Sequence, residues 1–182
     1  MSSLTEALER ILNWWRQHPS DNYASVEVLE PGLTHKEIER RVADLPFRLP
    51  KEVYKLYQWR NGTYDGEEER AGFFDGLTFL SLEAALDKYD ELIEDAKEQA
   101  ENLGEDFGWD AEDIWNVNWF PLFQNIDYED YYVVIGENIQ QETSPVFAKL
   151  TEDADISKKY SSLTKMMLYL AENLETKDNR KI

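Results

Sequence analysis

A chain of 182 residues is long enough for one ordinary hydrophobic core. It has no cysteine, which excludes disulfides, thiol nucleophiles and Cys-based metal sites and fits a reducing compartment. Its 19 basic and 38 acidic residues give a net charge of −19, a field that repels nucleic acid and anionic membrane and draws basic partners inward.

The imbalance is segregated. Residues 1–60 hold 9 acids and 9 bases, and residues 143–182 are net +1, whereas residues 61–142 hold 23 acids against only Arg70, Lys88 and Lys97. An acidic surface commonly serves solubility alone; its confinement to one segment points towards a binding face. The opening MSSLTEALERILNWW has early acids, no basic n-region and no small-residue cleavage site. No apolar run approaches the roughly 20 residues of a membrane span. A soluble cytoplasmic protein is the expectation.

Residues 3–18 read as an amphipathic helix, with Ser3 and Glu6 at capping-box spacing and Leu4, Leu8, Ile11, Leu12 and Trp15 as its stripe. A short strand is expected over Ala24–Leu29. Pro31-Gly32 then turns the chain into a second helix, capped by Thr34 and Glu37, with Leu33 and Ile38 as staple. Pro46 should stop it. Leu49-Pro50 opens a third helix with inward Val53, Leu56 and Tyr57, and Asn61-Gly62 supplies its stop. The Trp59–Gly62 segment is either a packed tryptophan cap or the lip of a groove. Residues 63–72 are loop by composition, and Leu77–Leu80 is a brief strand.

Ser81 caps the longest helix, expected over 82–103, about 33 Å at 1.5 Å per residue, with Gly104 as its end. Leu82, Leu86, Tyr89, Ile93, Ala96 and Ala100 line its apolar face. Its other faces carry Glu83, Asp87, Asp90, Glu91, Glu94, Asp95, Glu98 and Glu101, a run that by itself reads as a solvated surface. The stretch Trp115–Ile135 contains the centre of the fold. Its runs Trp119–Phe123 and Tyr131–Ile135 are aromatic, β-branched and too short for helices, so they read as neighbouring strands with one face as floor of the core. Pro121 places the first at an edge or a bulge. A last strand over Pro145–Leu150 and a helix over Ser162–Glu175 follow, then a frayed tail. Helices lead and strands cluster later, so the class is α+β.

Catalytic signals are sparse. His18 and His35 lie at helix ends outside any GxSxG or zincin setting, and no phosphate-binding glycine motif occurs. Two acidic loops approach an EF-hand but fail at required positions: Gly72 replaces the bidentate glutamate of one, and Ala111 replaces the turn glycine of the other. Carboxylate pairs for glycoside hydrolysis have no specificity in so acidic a chain. Neither a metal nor a cofactor is expected. Trp119, Phe120, Phe123, Tyr131 and Tyr132 read as core. Trp109, inside EDFGWDAED, is either an anchor for a basic partner or a plug that pins the loop.

PGLTHKEIER, LPFRLPKEVYKLYQWRNG, FFDGLTFLSLEAALDKY, NWFPLF with DYYVVI, and SLTKMMLYLAE occur in that order. Together they resemble the SUKH superfamily, which includes fungal cell-wall-assembly regulators and many bacterial immunity proteins. The resemblance spans about residues 28–174. Residues 1–27 then form an N-terminal helix and lead-in, and 175–182 a tail. It implies one α+β domain, a mostly antiparallel sheet packed with about five helices, and no catalysis. It also implies a protein partner, either a cognate toxin of basic, nuclease type or, alternatively, an endogenous protein in a regulatory or scaffold role. The candidate contact residues are Asp65, Glu67, Glu68 and Glu69 in one loop. Asp106, Trp109, Asp110, Glu112 and Asp113 supply the other segment.

Overall fold

The two apolar runs form the middle of a five-stranded sheet. The computed structural model describes residues 3–18, 29–63, 73, 76–107, 110–125, 130–150 and 156–178, and of 103–107, 177 and 178 only the backbone. In chain order the elements are α1 (Leu4–Gln17), β1 (Leu29–Pro31), α2 (His35–Arg41), α3 (Lys51–Trp59), β2 (Arg60–Thr63) and β3 (Leu77–Phe79). Then come α4 (Leu82–Phe107), α5 (Ala111–Ile114), β4 (Trp119–Asn125), β5 (Tyr131–Ile135), β6 (Val146–Lys149), β7 (Ile156–Tyr160) and α6 (Leu163–Asp178). The large sheet runs β3-β4-β5-β6-β7, and β1-β2 form a separate ribbon. Each pairing is antiparallel. The chain is a single α+β domain.

Pro121 marks a bulge, not an edge. Pro121 faces Val133 but Phe123 faces Tyr132, so Leu122 is the extra residue. Leu122 and Phe123 are both fully buried in the main core, alongside Phe120 and Val134. That core also takes the stripe of α1, the inner side of α3, the first half of α4 and the α6 residues Leu163, Met166, Met167, Leu170 and Leu174. The sheet's other side is covered as well. Tyr131 and Val133 join Trp115 and Ala96 in a second cluster, flanked by Trp119 and Phe147. Phe73 links α1, α3 and the sheet through edge contacts with Trp15 at 5.2 Å, Trp59 at 6.4 Å and Phe79 at 5.6 Å. Trp59 is thus a packed cap, with the Arg60 guanidinium over its ring at 5.7 Å.

Several punctuation residues do other work than their local pattern suggests. Helix α2 ends at Arg41, with Val42 as C-cap, several residues before Pro46. Asn61-Gly62 does not stop α3: Arg60 is already extended and both residues lie in β2. Gly62 has φ +89°, and a Cβ there would lie 2.5 Å from the Ser81 nitrogen. Glycine is required because β2 passes against the α4 start. Asn61 accepts from Leu82 N at 2.9 Å, taking up one free donor of α4. Gly104 is passed through, since an interior glycine costs a helix only about 1 kcal/mol. Pro145–Leu150 is not the last strand: β7 follows it. Helix α6 continues to Asp178, beyond the expected start of the frayed tail. The expected strand over 24–29 is described only at Leu29, where β1 begins.

Candidate protein-binding face

Helix α4 begins with a doubled cap, Ser81 Oγ accepting from Ala84 N at 3.1 Å beside the Asn61 bond. Leu82, Ala85, Tyr89 and Ala96 are buried, so the helix has one fixed rotation about its axis. That rotation turns Glu83, Asp87, Asp90, Glu94, Glu98 and Glu101 outward, and all six are exposed. They follow one another at steps of three or four residues, which stacks them into a single acidic ridge. Among the described residues, Glu83 alone of the six has a salt bridge, to Arg41 at 2.8 Å. Neighbouring like charges at this spacing each cost about 0.2–0.5 kcal/mol, so the ridge is carried against the helix's own stability.

The other flank of α4 presents Glu91 and Asp95, with Lys88 bound to Glu91 at 2.6 Å. Between this flank and the outer sheet side lies a cleft of about 240 Å³, lined in part by Trp115, Tyr131 and Lys149. Trp115 seats α5 through edge contacts with Trp119 at 5.6 Å and Tyr131 at 5.8 Å.

Helix α5 is where part of the expected contact set falls. Asp110, Glu112 and Asp113 are all exposed. Asp113 Oδ2 accepts from Asp110 N at 2.9 Å, so this carboxylate also closes the helix start. Glu112 has no such structural duty. Asp106 lies in the last turn of α4. Asp65, Glu67, Glu68, Glu69 and Trp109 lie outside the described residues. The ridge on α4, read from sequence as a solvated surface, is thus the largest acidic feature that the described residues bring together.

The histidines are occupied locally. His18 stacks on Trp14 at 4.1 Å, and His35 lies 3.9 Å from Glu39. Among the described residues no group of three or more His, Cys, Asp or Glu could hold a metal ion, and no helix is long and apolar enough to cross a membrane.

Sequence reasoning missed a buried charge. Glu52 is 3% exposed, in the first turn of α3. It accepts from Leu163 N at 3.1 Å, from Thr164 N at 3.0 Å and from Thr164 Oγ1. Ser162 Oγ accepts from Lys165 N at 3.1 Å. The free donors at the α6 start are thereby taken up, and the carboxylate faces the positive end of the helix. Its signal in sequence is only an acid after proline, the mark of any solvated helix start.

The model of the SMI1 / KNR4 family (SUKH-1) matches residues 32–168. No curated protein matches the chain. Helix α1 and the second half of α6 fall outside the matched stretch, and they are joined to each other by the Arg10–Glu175 pair at 2.7 Å.

Proposed function

We propose a function from one premise: the chain belongs to the SMI1 / KNR4 family (SUKH-1). Membership supports a protein-binding domain of immunity or regulatory type. Within that range our reading is an immunity protein of the cytoplasm that neutralises a cognate toxin by binding and not by turnover. The toxin is basic and of nuclease type. Its nucleic-acid channel would be covered by the acidic face: the α4 ridge, α5 and the acids of segments 65–69 and 105–113. The observation that carries this is the ridge of six exposed acids, one of them salt-bridged, on a chain of net charge −19. Such a surface speeds encounter with a cationic one and discourages wrong partners.

The test is a pull-down from the protein's own host, at low and at high salt, read by mass spectrometry. One basic, nuclease-like partner that is lost as salt rises is the expected result. A housekeeping partner, or none at either salt, would move the assignment to a regulatory or scaffold domain. With the partner purified, Asp87→Asn, Asp90→Asn, Glu94→Gln and Glu98→Gln together should slow association about 10-fold or more and flatten its salt dependence.

A further inference from the structure

The large apolar side chain most open to solvent among the described residues is Ile139, at 76% exposure. It sits in the loop after β5, and that loop is firmly tied. Arg48 and Glu137 exchange backbone hydrogen bonds of 2.8 and 3.3 Å, and Lys51 N donates to Gln141 O at 2.9 Å. Gln140 Nε2 donates to Leu49 O at 3.0 Å, and Lys51 pairs with Glu142 at 2.5 Å. At its start, Gly136 lies so close to Phe47 that a Cβ would meet the ring at 2.0 Å. Ile139 is therefore held out into water by a preorganised loop, and binding through it would require little further ordering.

Beside it lies a hollow of about 360 Å³, lined in part by Ile135, Asn118 and Glu137. Gly136 N donates to Asn118 O at 2.8 Å, which joins the loop to the turn carrying Val117, 37% exposed. Tyr89 Oη donates to Val117 O at 2.8 Å and ties that turn to α4 between Asp87 and Asp90. Ile139 and Val117 are thus exposed apolar side chains on two turns joined by a backbone hydrogen bond, and Arg48, Lys51, Glu137 and Glu142 are the charged residues where the loop is tied down. An apolar centre within a charged rim is the anatomy of a protein interface. A second copy is a poor occupant, because it would bring −19 against −19.

We propose that Ile139 is the apolar anchor of the partner interface, inserted into a pocket of a basic protein whose rim carries lysine and arginine. This rests on the basic partner inferred above.

The test places a photo-crosslinking phenylalanine analogue at position 139 of the full chain, in the cells that make it. Position 169, where Tyr169 is 48% exposed, is the control. A single basic protein crosslinked from 139 and not from 169 is expected. No species, the same species from both positions, or an acidic one overturns the proposal. With the crosslinked protein purified, Ile139→Asp should raise Kd about 30-fold, chiefly through faster dissociation. Its thermal stability should match wild type, since the side chain packs on little. If Ile139→Asp binds within twofold of wild type while the four-residue α4 variant associates slowly, the anchor falls and the basic-partner reading stands. If the α4 variant also binds as wild type, that reading falls with it.

Discussion

Glu52 and the α4 ridge use the same functional group to opposite ends. Glu52 is 3% exposed and accepts hydrogen bonds from Leu163 and Thr164, holding α3 to the start of α6. The ridge acids are exposed, and the only salt bridge among them is that of Glu83. A carboxylate surrounded by donors orders the fold, because removing it leaves buried N–H groups without partners. A carboxylate stacked on its own kind in water opposes the fold and acts at a distance. Net charge therefore conceals two populations: acids tied into the fold, of which Glu52 is the buried one among the described residues, and acids left in solvent with no such role.

The sharpest way to break this contrast is at Glu52. Glu52→Ala should lower stability by about 3 kcal/mol, seen as a fall in the urea midpoint with the slope m unchanged. Glu52→Gln keeps one acceptor oxygen and should lose about 1–2 kcal/mol. A Glu52→Ala variant as stable as wild type would mean that water replaces the carboxylate at the α6 start.

The ridge should respond with the opposite sign. Asp90→Asn, Glu94→Gln and Glu98→Gln together should raise stability by about 0.5–1 kcal/mol, since each neutralisation removes like-charge neighbours three or four residues away. Added salt should stabilise wild type more than this variant, because salt screens what the substitutions remove. A destabilised variant would show that Lys97, on the same helix, contributes more attraction than the ridge contributes repulsion.

How far the sequence revealed this arrangement depended on whether the deciding contact was local. Thr34 and Glu37 form the full capping box expected of them, and the β4–β5 pair has the strands assigned to it. Each of these is settled within a few residues. Asn61-Gly62 was misleading because its role is fixed by packing against the distant start of α4, and Gly104 because a helix passes an interior glycine at a cost of only about 1 kcal/mol. Strand β7, ISKKY, has its three central residues exposed; two lysines on an edge strand protect it from pairing further and also erase the apolar pattern. The ridge was legible as periodicity. The burial of Glu52 and the exposure of Ile139 needed the tertiary fold, whereas the second duty of Asp113 is a capping contact with Asp110 three residues away, within reach of a local reading.

The smallest effect lies between the two populations, at Arg10 and Glu175. This pair joins α1 to α6 by two hydrogen bonds of 2.9 and 2.7 Å, and both side chains remain partly open to solvent, at 30% and 47%. The Arg10 hydrogen bond holds the Glu175 carboxyl below its ordinary range. A carboxylate with a depressed pKa in the folded state contributes stability that is present above its unfolded pKa, near 4.3, and is lost as pH falls through the folded value. Arg10→Ala should therefore lower stability by only about 0.5 kcal/mol at pH 7. The wild-type and variant stabilities should converge as pH falls below about 4. Denaturant midpoints measured for both proteins from pH 7 to pH 3 would follow that convergence. A constant gap would assign the loss to packing of the arginine stem, and α1 would then be held by apolar contact alone.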